Sequence, residues 1–354
     1  MWKIYSQPML LGCEMFEINM EQIKEDGFTM PKREMTSKEM LVKYAIFMLL
    51  VPLLTYLVGD KNIYQWNDYY TYLNYYNFSS ETPLSGVFKQ GMDPLFIVLM
   101  KPFTFLDDGF STFTIVCAYF TLLMKLSALR NSTENFFVLL VLYSSYILCL
   151  HDYVQIRISL ALALIAFGIY TVNSRNIRYC LFLFAIFIHL TSVFVVLTYF
   201  VYKILGVRKF IFFSLFSILF PSLLSVGIIS NARLTTYIEL ASNKEKYYQI
   251  NIFSSQPIIQ IIGVLTIYFD KKLRPYSRSY EYCMSVLGIF LFYSFSAVPV
   301  LSFRLFELTL FFYTILLSRC FNKSLIMILL SILYILVGLK NMFYGEMSLL
   351  HYWG

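Results

Sequence analysis

The sequence predicts an all-α polytopic integral membrane protein with about 10–12 transmembrane helices. Of its 354 residues, 58% are apolar and only 14% are charged, whereas a soluble domain has about 25% charged residues. The mean hydropathy is +0.65, and a transmembrane helix needs about 20 mostly apolar residues. Apolar runs cover residues 40–58, 110–129, 134–150, 156–172, 178–204, 209–229, 256–269, 282–299, 303–317 and 323–339.

The apolar runs define a membrane domain of residues 40–339, with a short tail at each end. Residues 1–39 carry seven acidic and five basic residues and contain no apolar core, so they do not read as a secretory signal peptide. We interpret them as a cytosolic N-terminal tail, or as an over-extended start because the segment contains several internal methionines. Residues 340–354 form a short C-terminal tail.

Two apolar segments have lengths that do not suit one straight span. Residues 93–106 are too few to cross the membrane as a helix, and they include Lys101 and Pro102. This favours a re-entrant or interfacial helix. The run 178–204 has 27 residues, which is too many for one straight membrane-spanning helix and too few for two full-length ones. We therefore expect this run to break into a hairpin near His189.

The basic links between the runs predict the orientation, because such links favour the cytoplasm. They are Lys125/Arg130, Arg175/Arg178, Lys203/Arg208/Lys209, Lys271/Lys272/Arg274/Arg278 and Arg319/Lys323. All are cytoplasmic together in an eleven-span arrangement with the N-terminus inside and the C-terminus outside. The segments 59–109, 151–157, 230–255 and 299–304 are then external, so we expect an outward-facing active site.

The external link HDYVQIR, residues 151–157, holds His151, Asp152, Gln155 and Arg157. An arginine this close to a span usually faces a partner or a watery cavity. Gln155 and Arg157 precede an apolar helix, and a helix N-terminus with a guanidinium suits a phosphate group. The alternative is an arginine at a helix end that extends toward the interface.

Further polar residues lie near the same predicted face. Arg304 begins another helix with Glu307 three residues later, either as an internal ion pair or as a second cation for the same cavity. Arg233 is a third candidate cation, in a loop of mixed charge. His189 is either a packing residue or a group that hydrogen-bonds a sugar or a phosphate.

An aromatic segment, residues 64–78, adds a candidate sugar surface. Asp68, Tyr72, Tyr75 and Tyr76 fall on one face if the segment is helical. Such a face with a carboxylate suits a sugar ring, although interfacial tyrosines are the alternative. We assign Asp68, Tyr72 and Tyr76 to substrate binding.

Several function classes lose support. The sequence contains no Walker A, G-x-G-x-x-G, H-E-x-x-H or G-x-S-x-G pattern. The six cysteines show no metal-ligand spacing, and no cofactor or metal is predicted. Asp107 and Asp108 do not form the D-x-D pattern of a metal–nucleotide site, so we expect a lipid-linked donor. The basic residues orient helices and do not indicate nucleic acid.

The order of four motifs resembles EpsG-like, Wzy-type polysaccharide (O-antigen) polymerases. The central segment from HDYVQIR to IHLTS carries most of the resemblance, and NDYYTYLNYY, MDPLFIVLMKPF and SFRLFEL follow the family order over roughly residues 60–320. The departure is Ile158 and Ser159 after Arg157, where a Gln or Ala is common. The resemblance implies a GT-C-like fold and the joining of undecaprenyl-pyrophosphate-linked repeat units on the outer face of the bacterial inner membrane.

In that reaction, Arg157 and Arg304 are candidates to stabilise the pyrophosphate leaving group. Asp93, His189, Asp68 or Asp152 is a candidate proton acceptor for the acceptor hydroxyl. We prefer Asp93, because Pro94 can begin a short helix that fixes its carboxylate. Expected partners are the lipid-linked oligosaccharide, membrane lipid and a chain-length regulator; the alternatives are a lipid-linked oligosaccharide flippase and an O-antigen ligase.

Overall fold

A computed structural model describes residues 37–60, 68–88, 93–216, 251–296 and 298–344. Every regular element in these ranges is a helix. In chain order they are α1 (Ser37–Gly59), α2 (Tyr69–Glu81), α3 (Leu84–Val87), α4 (Pro94–Met100), α5 (Gly109–Ser132), α6 (Phe136–Leu142), α7 (Ile156–Tyr170), α8 (Arg175–Ile188), α9 (Ser192–Leu215), α10 (Ser255–Phe269), α11 (Tyr280–Ser294), α12 (Pro299–Cys320) and α13 (Leu325–Phe343). A π-helical segment, Tyr143–Val154, continues α6.

Four of the described helices are long and apolar enough to cross a membrane. They are α5, the continuous Phe136–Val154 segment, α12 with the turn that follows it, and α13. The protein is therefore an all-α polytopic membrane protein, as the sequence predicts. The count of 10–12 spans stays a prediction, as do the two tails: residues 1–36 and 345–354 lie outside the described residues.

The predicted break near His189 is confirmed. Helix α8 ends at Ile188, and His189 has extended backbone angles (φ −154°, ψ 114°). Helix α9 begins only three residues later, at Ser192, whose amide donates to the His189 carbonyl at 2.9 Å. A second break lies within α9 at Gly206, whose φ of 68° is favourable only for glycine.

The segment after Asp93 forms a short helix, as its sequence predicts. Pro94 occupies the first turn of α4, and a 3₁₀ turn, Lys101–Phe105, follows. The Lys101 ammonium donates to the carbonyls of Ser79, Ser80 and Thr82 at 2.6, 3.2 and 2.9 Å. Since these carbonyls belong to the last turn of α2, Lys101 neutralises that helix terminus and fastens α2 to α4.

The link predicted at 151–157 is shorter than expected. The π-helical segment runs through Val154, and only Gln155 leaves helical geometry (φ −105°, ψ 62°) before α7 begins. Asp152 explains this continuation, because it pairs inside the protein with Lys125 at 2.7 Å. Lys125 is fully buried, so our placement of it in a cytoplasmic link is wrong.

Four other helix ends meet at one end of the bundle. Glu281, in the first turn of α11, accepts hydrogen bonds from Tyr170 at the end of α7 and from Arg319 at the end of α12, at 2.6 and 2.8 Å. Arg319 also donates to the Ser132 carbonyl at the end of α5, at 2.7 Å. The opposite end of α7, where Arg157 lies, is therefore distant from these basic links.

Candidate functional site

Three separate segments bring Asp93, Arg157 and His189 together. Asp93 immediately precedes α4, Arg157 is in the first turn of α7, and His189 directly follows α8. The Asp93 Oδ2 atom accepts a hydrogen bond from Arg157 Nη1 and lies 3.2 Å from His189 Nδ1. Its Oδ1 accepts the Leu190 amide at 3.2 Å. We call Asp93, Arg157 and His189 the central cluster.

Two tyrosines of α2 hold the Arg157 guanidinium. Its Nη1 donates to the Tyr75 hydroxyl at 3.0 Å, and its carbon lies 4.6 and 5.5 Å from the ring centroids of Tyr75 and Tyr72. Guanidinium groups stack favourably on aromatic faces. Arg157 Nε is buried and has no hydrogen-bond partner within the described ranges. The guanidinium is thus fixed in place, and one of its buried donors has no hydrogen-bond partner among the described residues.

The Asp93 carboxylate also fixes the His189 ring. Burial raises the pKa of this carboxyl, but the hydrogen bond from His189, the charge of Arg157 and the Leu190 amide together hold it below its usual range. An ionised carboxylate only accepts hydrogen bonds, so His189 Nδ1 must donate to it. In the neutral ring, Nε2 then carries the lone pair. That atom is buried without a partner in the described structure.

A second polar group lies beside the central cluster. Gln155 Nε2 donates to Glu307 Oε2 at 3.4 Å, while Gln155 Oε1 is buried with no partner among the residues described. Arg304, one turn before Glu307, is exposed and acts electrostatically on both Glu307 and His189. Gln155 thus lies beside the central cluster, two residues before Arg157. The role of Arg304 as a second cation beside Arg157 stays a prediction.

The structure gives the aromatic face of α2 a different role from the one we predicted. Tyr72 is 2% exposed and packs on Phe96, while the Tyr76 hydroxyl donates to the Phe103 carbonyl at 3.1 Å. A Cβ on Gly109 would lie 2.2 Å from that hydroxyl, so the position is closely packed. We revise the assignment of Tyr72, because its buried ring supports the protein. Tyr76 is half-buried, and its assignment to substrate binding stays a prediction.

His151 and Asp152 also lie apart from the central cluster. Both are buried, and Asp152 accepts hydrogen bonds from Lys125, Tyr143 and Ser159. Because Asp152 is engaged by the buried Lys125, we leave it and His151 out of the proposed site, and their assignment to substrate binding stays a prediction. Asp68 immediately precedes α2 and is half-buried. Arg233 lies outside the described residues.

Two contributors to the site, and one buried lysine outside it, were not assigned from sequence. Tyr75 shares the predicted face of α2 with Tyr72, and this shared face was the available signal for its role. The Leu190 amide leaves no trace in a residue pattern, since every non-proline residue has one. Lys125 was misread because a lysine near the end of an apolar run looks like a link residue.

The sequence comparison agrees with this architecture. The chain matches the EpsG family over residues 44–352, a range that includes the central cluster and the second polar group. No curated protein and no solved structure matches it significantly. Within the described ranges, no group of three or more His, Cys, Asp or Glu side chains could hold a metal ion. With a match over most of its length, this multi-pass membrane protein belongs to the EpsG family.

Proposed function

We propose that this protein polymerises lipid-linked oligosaccharide repeat units, carried on undecaprenyl pyrophosphate, at the outer face of the bacterial cell membrane. Membership of the EpsG family supports a polysaccharide polymerase-like role. The observation that carries the finer proposal is the central cluster. It combines an immobilised cation that has an unpartnered N–H donor with a histidine whose Nε2 atom has no hydrogen-bond partner among the described residues.

The proposed reaction transfers a sugar chain from one lipid carrier to the next repeat unit. A hydroxyl of the incoming unit attacks the anomeric carbon of the chain, forming a new C–O bond. The bond from that carbon to the pyrophosphate oxygen breaks, and undecaprenyl pyrophosphate leaves with the bonding electrons. His189 Nε2 accepts the hydroxyl proton.

Arg157 stabilises the charge that develops on the leaving pyrophosphate, through its Nε–H and its fixed positive charge. Arg304 is the proposed second cation. This assignment changes our order of preference for the base: both Asp93 oxygens accept hydrogen bonds, whereas His189 Nε2 has no partner in the described residues. Asp93 is therefore a positioning residue, and His189 is the proton acceptor.

A deletion strain tests the proposal in a host that builds O-antigen. Loss of a polymerase leaves lipopolysaccharide with a single repeat unit, whereas loss of a flippase or of a ligase leaves none. We expect the single-repeat pattern, with long polymer restored by the wild-type gene. A deletion strain lacking all repeats would contradict the proposal and favour one of those alternatives.

A substitution connects this phenotype to the site. His189→Asn keeps a donor in place of Nδ1 for Asp93 but removes Nε2, so we expect about a 10²- to 10⁴-fold lower rate, the usual contribution of a general base. Arg175→Ala is the control, because Arg175 is exposed and contacts only Tyr179 among the described residues. Normal polymer from His189→Asn would exclude His189 as the base.

A further inference from the structure

We infer that Lys125 is a positioning residue for the proposed reaction: together with Asp152 and Ser159 it fixes the helix turn that carries Arg157. This inference rests on the proposed function, and it gives a role in that function to three polar residues that lie outside the central cluster. Lys125, Tyr143, Asp152 and Ser159 are called the buried network below.

The buried network joins the two chain segments on either side of Gln155. Asp152 lies near the end of the π-helical segment, and Ser159 lies in the first turn of α7. The Lys125 ammonium, on α5, donates to Asp152 Oδ1 at 2.7 Å and to Ser159 Oγ at 2.8 Å. The Ser159 hydroxyl also donates to Asp152 Oδ1. Lys125 therefore holds the end of one helical segment against the start of the next.

The remaining contacts of the buried network fix its own position. Tyr143, the first residue of the π-helical segment, donates its hydroxyl to Asp152 Oδ2. The Lys125 ammonium lies 5.9 Å from the ring centroid of Tyr143 and 5.8 Å from that of Phe311 on α12. Lys125 and Ser159 are fully buried, and Asp152 is 1% exposed. Residues from four helical elements thus surround one buried pair of charges.

The segment at Gln155 depends on such support because its backbone is not helical (φ −105°, ψ 62°). The Ser159 amide donates to the Gln155 carbonyl at 3.0 Å, so the residue that contacts Lys125 also closes the first turn of α7. Arg157 lies in that same turn, and residues two apart on a helix point to different sides. Ser159 contacts Lys125, while Arg157 contacts Asp93. A shift of α7 at Ser159 would therefore move the guanidinium relative to the central cluster.

A buried ion pair is weak evidence for a purely stabilising role. Desolvation of Lys125 and Asp152 offsets much of their attraction, and apolar residues of similar size often stabilise a protein as well or better. Hydrogen bonds are directional, so this pair fixes an orientation that apolar packing would leave less defined. A misplacement of about 1 Å by a change far from the reacting atoms can lower a rate about 10²-fold. The buried network therefore supports the rate by orienting Arg157.

Two variants test the inference in different ways. Ser159→Ala removes the contact with α7 and keeps the Lys125–Asp152 pair. Lys125→Met/Asp152→Leu replaces the pair with apolar side chains and leaves no unpaired charge. Initial rates per folded molecule are measured for the full-length protein in lipid nanodiscs, with the lipid-linked repeat unit extracted from the deletion strain. We expect kcat to fall about 10- to 100-fold with KM nearly unchanged, because Arg157 acts on charge that develops in the transition state.

A double-mutant cycle separates positioning from a general loss of structure. If the buried network acts through Arg157, each variant should change the rate by less than about 3-fold when Arg157→Lys is already present. A further fall in that background as large as the fall in the wild-type background would overturn the inference. Wild-type kcat in either variant would also overturn it.

Ser285→Ala and Arg319→Met/Glu281→Leu are the matched controls. Ser285 is fully buried and donates its hydroxyl to the Glu281 carbonyl at 2.7 Å. Arg319 and Glu281 form a buried ion pair near the opposite end of α7. Both controls should keep the wild-type kcat whatever their melting temperatures, and equal losses of kcat in them would overturn the inference while leaving the polymerase intact. Absence of polymer from the wild-type protein would overturn both.

Discussion

Asp93→Asn tests whether the central cluster acts as one unit. The Asp93 carboxylate accepts hydrogen bonds from Arg157, His189 and the Leu190 amide. An asparagine amide can accept only at its oxygen. If its NH₂ group faces His189, the ring must accept at Nδ1 and carry its proton on Nε2, where it can no longer act as a base. If the NH₂ group faces the Leu190 amide, two donors oppose each other.

The expected magnitude follows from these contacts. In the serine protease triad, the equivalent Asp-to-Asn change lowers kcat by about 10⁴ because the histidine takes the wrong tautomer. We expect Asp93→Asn to lower kcat by about 10³- to 10⁴-fold. Removing one partner of a buried ion pair costs about 3–5 kcal/mol. Because the Arg157 side chain is 15% exposed, we expect a loss in the free energy of unfolding near 3 kcal/mol.

The assay must separate lost catalysis from lost folding. We would measure the rate per folded molecule with extracted repeat units in nanodiscs, and stability by thermal unfolding. Glu281→Gln is a matched control, since the Glu281–Arg319 pair has side chains 4% and 17% exposed, against 3% and 15% for Asp93–Arg157. This control should be destabilised to a similar extent while keeping its rate per folded molecule.

The reasoning fails if Asp93→Asn polymerises at the wild-type rate per folded molecule. It also fails if Glu281→Gln loses as much of that rate as Asp93→Asn, because the deficit would then reflect a weakened bundle and not the orientation of His189.

Four other outcomes are expected. Arg157→Lys keeps the charge but loses the planar donor set, so its rate should fall about 10²- to 10³-fold, whereas Arg175→Lys should retain wild-type polymer on a gel. Burial lowers the pKa of His189 and, with the charges of Arg157 and Arg304, outweighs the hydrogen bond and charge of Asp93, which raise it. The acid limb of the pH–rate profile should therefore lie below pH 6.5 and move to higher pH in Arg304→Ala, and an unmoved limb would exclude that coupling. Lys101→Met removes the cation at the end of α2 and should lower the free energy of unfolding by about 1–2 kcal/mol, seen as a lower melting temperature. Single-cysteine labels near positions 131, 176, 206, 274 and 320 should react from the cytoplasm and those near 90, 153, 245 and 302 from outside; opposite results for 176 and 274 would exclude the hairpin at His189.

The sequence was most informative where polar residues interrupt apolar runs. The break at His189 and the short helix after Asp93 could be predicted, because an apolar run that is too long or too short for one membrane span cannot form a single straight spanning helix. Arg157 and His189 were identifiable because polar groups in a membrane are costly and need partners. The contact that each makes with Asp93 could not be predicted, since Asp93 lies 64 residues before Arg157 and 96 before His189.

The sequence does not show whether a polar or aromatic side chain points toward a ligand or into the protein. Helical spacing shows that Tyr72 and Tyr76 share a face of α2, but it does not say whether that face contacts a ligand or the protein. Similarly, the polar run 151–157 contains both an inward-pairing residue, Asp152, and a member of the central cluster, Arg157. The π-helical geometry that separates them depends on the buried contact with Lys125, which is distant in sequence.

The helices that carry Arg157 and His189 have a consequence for the surrounding lipid. Helices α7 and α8 contain 15 and 14 residues, so they are about 22 and 21 Å long, against a hydrocarbon core of about 30 Å. A short hydrophobic segment thins the adjacent bilayer. In the predicted orientation, with the Arg175/Arg178 link in the cytoplasm, the ends of α7 and α8 that carry the central cluster lie about 8 Å inside an undisturbed outer leaflet. Hydrophobic mismatch would then draw lipid headgroups down to the central cluster, so the rate of the proposed reaction should depend on bilayer thickness.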